Sequence, residues 1–426
     1  MQQLSHHSNH KIGFWSLFAI VTGSQIGSGI FMLPANLAPF GWYALLGWII
    51  SGVGAIALAL VFADLCALMP KTGGPHVYAR AAFGDVAGFF TGWTYWVVSW
   101  VSTTAVIVAA VGYLTPLLGT LTPNAVLALQ VVLLFAVTLL NLQGVYAAGI
   151  TEFVLTVLKF VPLIVLPVFG IVYFNAQNIQ MADGLAAVSV PDILSQVVLL
   201  TLWGFIGLES GTTPAGSVEN PAKTIPKALV FGTIAVALVY VVNSLAIMGS
   251  MPSALLAQSK APFADAAQYL LGGSWHLLIS FIASILCLGT LNAWMLASSQ
   301  IALGLAQDRL GPALLGKTNR HQAPFVALLI STFGILPLLF LTTHTTLASQ
   351  LAMIIDFSVT AFLYVYVIAT LAFLKKARGV QWVYGSLALV FCLWILWQTS
   401  LQTLGIAALF ALSGVPVWFF KKVITN

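Results

Sequence analysis

Two hydrophobic stretches of the sequence are each interrupted by glycines and polar residues. The first, TGSQIGSGIFMLPANL at 22–37, includes three glycines, two serines and a glutamine, and the second holds GLESG at 207–211. Lipid cannot satisfy free backbone groups, so an unwound segment must be buried in protein or line a wet cavity. The N–H groups that begin a helix after Gly29 suit a carboxylate, and the carbonyls around Gln25 and Ile26 suit an ammonium. The interruptions therefore predict an amino acid site, although glycines also serve close helix packing.

Charged residues inside hydrophobic stretches are costly and mark candidate functional positions. Glu209, beside the second interruption, could take up and release a proton, or accept hydrogen bonds from freed N–H groups. Lys159, in TVLKFVPLIV, could carry a proton or be a fixed charge that holds the first and eighth spans together. Asp356 could neutralise a cationic substrate or pair with Lys159. Asp64 is expected to form an interfacial ion pair with the basic residues of the following loop.

The composition is that of an integral membrane protein. The 426 residues are 60% hydrophobic and 6% charged, with a mean hydropathy of +1.02, whereas soluble domains have about 25% charged residues. Apolar runs long enough to cross a hydrocarbon core of about 30 Å recur along the chain. The predicted spans, about twelve in all, are 14–38, 42–68, 86–117, 124–143, 150–174, 191–216, 226–249, 273–304, 324–342, 347–373, 380–398 and 402–420.

The basic residues predict the orientation of these spans. If the N-terminus is cytoplasmic, the 15 lysines and arginines all fall on the cytoplasmic side, except Lys260 on the other side and Lys159 within a span. This bias follows the positive-inside rule and predicts a multi-pass protein of the cell (inner) membrane with both termini cytoplasmic. The net charge of +5 then reflects topology, and no nucleic-acid partner is expected.

The two interruptions also suggest an internal repeat. A Ser-Gly pair followed by proline occurs at 28–34 in the first span and at 210–214 in the sixth. Interrupted spans in corresponding positions of two halves are typical of transporters built from inverted repeats. The sequence therefore predicts an all-α fold with broken first and sixth helices. Its predicted parts are a cytoplasmic tail at 1–13, a first repeat at 14–174, a second repeat at 191–373, two further spans at 380–420 and a cytoplasmic tail at 421–426.

Several motifs resemble those of the APC superfamily of amino acid transporters. They are GSGIFMLPANLAPFG (27–41), PKTGGPHVYARAAFG (70–84), GWTYWVVSW (92–100), LWGFIGLESGTTPAGSVENPAKTIPKA (202–228), APFADAA (261–267) and CLGTLNAWML (287–296). The likeness is greatest to the basic amino acid/polyamine antiporter branch, above all to arginine/agmatine antiporters. It implies a leucine-transporter-like fold of five plus five inverted spans, followed by two C-terminal helices.

The resemblance assigns roles to particular residues. Ser28 and Gly29 match residues that hold the substrate carboxylate, and the main-chain carbonyls of Gln25, Trp203 and Ile206 match those that hold the α-ammonium. Trp203 also matches a ring that stacks on the cationic side chain. The other implied substrate-binding positions are Ile26, Gly27, Val98, Ser99, Thr103, Trp294 and Ser358, and the implied gating or proton-coupling positions are Tyr95, Lys159, Glu209, Tyr366 and Asp356.

Two departures from the antiporter pattern leave the mode of transport open. Thr103 replaces an asparagine that lies near the guanidinium in the antiporters. Lys159 falls where the antiporters are uncharged and where proton-coupled permeases of the superfamily have a lysine. The gate-like residues, including Trp294, favour an antiporter that exchanges a cationic amino acid (arginine, lysine or ornithine) for its amine or another amino acid. The alternative is a proton-coupled permease of broader or neutral specificity that uses Lys159.

Other function classes are not expected. A membrane enzyme would need a nucleophile and base, or a metal set, at one depth, and neither GxSxG nor HExxH occurs. An ATP-driven pump and a channel with a continuous polar pore are not expected either. We therefore expect a secondary transporter and not an enzyme, with no cofactor and no metal site. Its expected partners are an amino acid or amine substrate, the lipid bilayer and a second copy in a homodimer, the last by fold analogy alone.

Overall fold

The computed structural model describes residues 11–424 except 120, 260 and 343–346, and the side chains at 28, 342, 347–355 and 420–424 are outside this description. The α-helices are α1 (Phe14–Gln25), α2 (Ser28–Leu37), α3 (Tyr43–Leu68), α4 (Pro75–Phe83), α5 (Asp85–Leu118), α6 (Pro123–Asn141), α7 (Val145–Val172), α8 (Val190–Phe205), α9 (Pro221–Ser250), α10 (Ser253–Leu256), α11 (Pro262–Leu271), α12 (Trp275–Gln307), α13 (Phe325–Thr342), α14 (Leu347–Leu374), α15 (Gln381–Gln398), α16 (Leu401–Leu412) and α17 (Val415–Ile424). The described residues contain two isolated β-bridges and no β-strand, so the all-α prediction is confirmed.

The helices form a multi-pass membrane protein. Among the described residues, eleven segments are long and apolar enough to cross a membrane, and α13 is a shorter apolar helix at the position of the remaining predicted span. The last predicted span differs, because it consists of α16 and α17, which meet at Ser413 and Gly414. Trp93 holds this bend: its indole N–H donates to the Ser413 hydroxyl at 2.9 Å, and its ring lies directly against Gly414.

The first span is broken between α1 and α2, as predicted. α1 ends at Gln25, Ile26 is extended (φ −75°, ψ 90°), and Gly27 (φ −142°, ψ −138°) leads into α2. A side chain at Gly27 would collide, because a Cβ there would lie 2.5 Å from Thr290 Oγ1. Pro34 lies inside α2. The break therefore falls at the glycine and not at the proline.

The sixth span unwinds in its middle. α8 ends at Phe205, and turns with short 3-10 segments at Ser210–Thr212 and Ala215–Ser217 lead to α9. Gly207 has a φ of +104°, which residues with a side chain rarely adopt. A Cβ at Gly207 would also lie 2.9 Å from the Trp294 ring. Glycine is therefore required here both by the backbone conformation and by the close approach of another helix.

Both broken spans lie inside the bundle. α1 packs against α7, α9 and α12, α8 packs against α3, and α5 lies along α12. α7 shows how the surrounding helices divide their faces. Val157, Ile164 and Val168 are exposed and offer apolar surface to lipid, whereas Glu152 and Lys159 of the same helix are fully buried. The costly polar groups thus face the broken spans.

Substitution of Gly54 tests how tightly the helices pack. A Cβ at Gly54 in α3 would lie 2.5 Å from the Phe391 ring of α15. We expect Gly54→Ala to lower the free energy of unfolding by about 1–3 kcal/mol, because overpacking forces the ring or a helix to move. Thermal unfolding of the purified protein in detergent measures this change. Gly405→Ala in α16 is the control, since a Cβ there meets nothing within 4 Å, and an equal loss in both variants would contradict the prediction.

Candidate substrate site

A small internal cavity lies at the break of the first span. It encloses about 20 Å³, which is room for about one water molecule. The lining residues, from α1, α2, α5, α8 and α12 and the unwound residues beside them, are Ser24, Gln25, Gly27, Gly29, Ser102, Val106, Trp203, Ile206, Thr290 and Trp294. Six of these are predicted site residues, so the structure brings most of the predicted first-span and sixth-span positions together. An amino acid fits only if the walls move apart.

Side chains from other helices cap the carbonyls at the broken end of α1. A helix end leaves its last carbonyls without intrahelical partners, and lipid offers no donors. The donors here belong to α7, α9 and α12. The pairs are Lys159 Nζ to Gly23 O (2.9 Å), Trp294 Nε1 to Ser24 O (3.1 Å), the Tyr240 hydroxyl to Gln25 O (2.7 Å) and the Thr290 hydroxyl to Ile26 O (2.9 Å). Three helices therefore hold the break at once.

These caps bear on the predicted ammonium site. The resemblance implies that the Gln25 main-chain carbonyl holds the substrate's ammonium. That carbonyl lies 2.7 Å from the Tyr240 hydroxyl, whose single proton it shares with Gly204 O at 2.8 Å. The Trp203 carbonyl similarly accepts from the Ile206 N–H at 3.3 Å. A carbonyl oxygen has two lone pairs. Both atoms thus keep capacity for a second donor, and their role in binding stays a prediction.

Two indole rings form walls of the cavity. The Trp203 and Trp294 side chains are buried, and both lie in the protein interior and not at the membrane surface. The Trp294 ring is fixed by its bond to Ser24 and by Phe362, with 5.2 Å between ring centroids. A Cβ at Gly29 would lie 3.3 Å from Trp203 Cδ1, so this ring packs on the start of α2. Indole faces attract cations, and this wall is therefore suited to a cationic substrate.

The α5 residues that line the cavity are not the predicted substrate-binding residues Val98, Ser99 and Thr103. Ser102 and Val106 line the cavity, and they continue the helix face of Val98 at intervals of four residues. Ser99 and Thr103 are buried one position further around the helix, and their hydroxyls donate to the carbonyls of Trp96 and Trp100 at 2.8 and 2.6 Å. The spacing of four residues from Val98 could have identified Ser102 and Val106 from the sequence.

Three further predicted positions are not among the described residues that line this cavity. The side chain of Ser28 lies outside the described residues, although its backbone begins α2. Ser358 in α14 is buried, and its hydroxyl has no hydrogen-bond partner among the described residues. Asp356, two residues earlier, is partly exposed, and its main-chain carbonyl accepts from the Thr360 hydroxyl at 2.8 Å. The roles of these positions stay predictions.

The predicted gating residues Tyr95, Glu209 and Tyr366 do come together. The Tyr366 hydroxyl donates to Glu209 Oε2 at 2.5 Å and accepts a long bond of 3.5 Å from the Gly207 N–H. Tyr95 lies beside the same carboxylate and packs its ring against Phe362, with 5.7 Å between centroids. All three residues are fully buried. The cluster thus ties α5 and α14 to the unwound part of the sixth span.

Lys159 forms a buried ion pair that the sequence analysis missed. Its Nζ lies 3.2 Å from Glu152 Oε1, and neither side chain is exposed. The ammonium also donates to Gly23 O and, at 3.3 Å, to the Thr290 hydroxyl, so each of its three N–H donors has an acceptor. Glu152 Oε2 accepts from Asn292 at 3.0 Å. Since residues seven apart share one face of a helix, the spacing of Glu152 and Lys159 was the available signal.

One of the two alternatives for Asp356 and the expectation for Asp64 are wrong. Lys159 does not pair with Asp356, because its ion-pair partner among the described residues is Glu152. Asp64 does not pair with the basic loop. Its Oδ2 accepts from Gln381 at 2.9 Å and from the Tyr384 hydroxyl, so it joins α3 to α15 instead. Helix packing, which the local sequence does not reveal, decides both partners.

Comparison with known proteins identifies the family. The sequence profile of the amino acid permease family matches residues 12–423. The chain is 34% identical to the cadaverine/lysine antiporter of Escherichia coli K12, over 79% of this chain and 76% of that protein. It is 31% identical to the putrescine transporter PotE of Haemophilus influenzae, over 87% and 86%, and 30% identical to the arginine/ornithine antiporter of Pseudomonas aeruginosa, over 98% and 92%. The chain belongs to the amino acid permease family. The predicted APC membership is therefore confirmed, and the protein is a membrane permease.

One loop of the permease matches a nucleotide-binding pattern by spacing alone. GPALLGKT at 311–318 has the GxxxxGK[ST] spacing of a P-loop. A P-loop follows a β-strand and opens a helix. In the permease this segment follows α12, holds a 3-10 turn at Ala313–Gly316, and continues through Lys317 in an extended conformation. The context of a phosphate-binding loop is missing, so the match does not indicate an ATP-driven pump.

A second cavity of the permease, of about 320 Å³, lies beside the end of α12. Asp308 there is contacted by Arg80 Nη1 at 3.3 Å and by the buried His76 ring at 3.2 Å, and Arg80 also pairs with Asp85 at 2.7 Å. The hydrogen bond from His76 is the main reason that the pKa of Asp308 lies below its usual range, and the charges of Arg80 and Lys71 add to the effect. This cluster joins α4 and α5 to the end of α12.

Asp308→Asn tests this cluster. A carboxyl whose pKa is lowered in the folded state contributes stability above its unfolded pKa of about 3.9, and loses it as the pH falls through the folded value. We expect the variant to unfold at a lower temperature than the wild type at pH 7, with a difference that shrinks below about pH 4. Thermal unfolding between pH 3 and 7 measures this. Asp85→Asn, at the more exposed carboxylate, should have the smaller effect, and a larger one would contradict the assignment.

Proposed function

We propose that this permease is an antiporter that exchanges a cationic amino acid, such as arginine, lysine or ornithine, for its amine or for another amino acid by alternating access. The observation that carries this proposal is the cavity at the first-span break, where backbone ends and two indole rings meet without a charged side chain among the described lining residues. The names of the relatives, which are antiporters of cadaverine/lysine and arginine/ornithine and a putrescine transporter, support the same substrate class.

Each end of an amino acid has a suitable partner in this site. The N–H groups at the start of α2, around Gly27 and Gly29, suit the carboxylate, because the first N–H groups of a helix have no intrahelical partner and lie at its positive end. The indole faces of Trp203 and Trp294 suit a cationic group. Because the cavity has room for only about one water molecule, binding must separate the walls. The substrate leaves chemically unchanged, so the proposal is transport and not catalysis.

The placement in the cell belongs to the same proposal. The basic loops favour the inner membrane with both termini in the cytoplasm. The bilayer then surrounds the exposed apolar faces, such as that of α7. A homodimer is proposed on the family resemblance alone.

The ion pair of Lys159 and Glu152 favours exchange over proton coupling. Every N–H of the ammonium has an acceptor and both carboxylate oxygens have donors. This full set of partners favours a structural ion pair in which both groups stay charged. The alternative, a proton-coupled permease, has one observation in its favour. Lys159 contacts Gly23 O directly, so loss of its proton would act on the first-span break.

Counterflow in proteoliposomes tests the exchange proposal. We expect uptake of labelled lysine to require internal lysine, cadaverine, arginine or ornithine, because an antiporter returns only when it is loaded. Vesicles loaded with neutral leucine, and empty vesicles under an imposed pH gradient, are the controls. Uptake into empty vesicles that is driven by the pH gradient would refute exchange and support the proton-coupled alternative.

Substitutions at Glu152 and Lys159 test whether the pair is structural. Glu152→Gln or Lys159→Met alone leaves one buried charge unpaired and should cost about 3–5 kcal/mol of stability. The double variant removes both charges and should be less destabilised than the sum of the single variants, as a double-mutant cycle of thermal unfolding would measure.

The pH dependence of lysine exchange by the double variant separates the two modes of coupling. A fixed ion pair predicts that the double variant keeps the pH profile of the wild type. A steep profile in the wild type that becomes flat in the double variant would show that the pair carries the proton, against our assignment.

A further inference from the structure

The side chain of Gln25 has an unused hydrogen-bond acceptor at the cavity. Gln25 is the last residue of α1, is 3% exposed and lines the cavity. Its Nε2 donates to Val21 O at 3.0 Å. Its Oε1 is buried and has no hydrogen-bond partner among the described residues. A buried amide oxygen without a donor costs free energy, and because this one belongs to a residue that lines the cavity, a bound molecule with N–H or O–H groups could supply the donor.

The orientation of this amide follows from its neighbour. Exchange of the amide oxygen and nitrogen would set Oε1 against Val21 O, so that two acceptors faced each other at 3.0 Å. The observed orientation avoids this repulsion, and Val21 O then accepts from both Nε2 and the Ser24 hydroxyl (2.9 Å). Oε1 is therefore the atom left free, and the group that completes it must be a donor.

The neighbouring acceptors of the same helix end are already engaged. The carbonyls of Gly23, Ser24, Gln25 and Ile26 each accept from a capping side chain. The Gln25 side-chain oxygen is thus the acceptor at this end of α1 for which the protein supplies no donor in the described residues. The resemblance assigned a role only to the main-chain carbonyl of Gln25. The side-chain amide of the same residue could also contact a substrate.

We propose that Gln25 Oε1 accepts a hydrogen bond from an ammonium group of the substrate and so selects for amines. This inference rests on the proposed function and deepens it. An uncharged acceptor suits an exchanger, because it binds the ammonium of a singly charged amino acid and that of a doubly charged amine without adding a charge of its own. A carboxylate in its place would hold the amine more tightly than the amino acid.

Two substitutions at Gln25 and one elsewhere test the proposal. Gln25→Met keeps the side-chain length and removes the acceptor, whereas Gln25→Glu keeps acceptor oxygens and adds a charge. Gln130→Met in α6 is the matched control, because Gln130 is also buried with an unpartnered Oε1 and does not line the cavity. The measurements are binding of lysine and cadaverine to purified protein by tryptophan fluorescence, counterflow in proteoliposomes, and thermal unfolding to show that each variant is folded.

We expect Gln25→Met to raise the Kd and KM for lysine and cadaverine by about 10- to 100-fold, as for the loss of a hydrogen bond to a charged group. Gln130→Met should change neither by more than about twofold. Gln25→Glu should bind both substrates at least as tightly as the wild type and should favour cadaverine over lysine more strongly. Folded Gln25→Met protein with wild-type Kd for both substrates would overturn the inference, as would Gln25→Glu protein that binds as weakly as Gln25→Met.

The same experiment distinguishes failure of this inference from failure of the proposed function. Wild-type vesicles that exchange lysine, together with an unaffected Gln25→Met variant, refute the role of Gln25 alone. Wild-type vesicles that exchange only neutral amino acids refute the cationic substrate. In that case the inference concerns the α-ammonium of the neutral amino acid. It stands only if Gln25→Met raises the KM for that neutral amino acid.

Discussion

The structure depends on how the open end of α1 is satisfied. Breaking a helix in the membrane frees carbonyls in a medium that supplies no donors. The permease meets this cost with a lysine, an indole, a phenol and a threonine hydroxyl from α7, α9 and α12. Because those donors come from helices distant in the sequence, the requirement for backbone hydrogen bonds also fixes how the helices are arranged around the break.

The capping groups include residues that line the candidate site, so substrate binding there would also act on the caps. Trp294 caps Ser24 O through its N–H and offers its ring to the cavity. Thr290 caps Ile26 O, accepts from Lys159 and lines the same cavity. A substrate that separates the walls must therefore move groups that stabilise the break. Substrate contacts can then replace part of what is lost, which is the differential interaction that a conformational change requires.

The sequence predicted the spans and both breaks, because long apolar runs and glycines beside polar residues are local features. It also placed Gln25, Trp203 and Trp294 at one cavity through motif resemblance. It did not reveal that Glu152 pairs with Lys159 or that Asp64 binds α15. Partners of this kind depend on the rotation of each helix and on which helix lies next to it, and hydropathy reports neither.

The charges of the permease are arranged so that the substrate dominates the electrostatics of the site. Lys159 and Glu152 neutralise each other outside the cavity, and the described lining residues carry no formal charge. When a cation leaves the site, the groups that bound it are left unpaired in the protein interior. The free-energy cost is far greater for a buried carboxylate than for an amide dipole or an indole face. A site that must bind one amine-bearing molecule and then release it for another benefits from having no charged side chain among its described lining residues. Weak, numerous and uncharged contacts therefore explain how such a cavity can be selective for amines and still turn over.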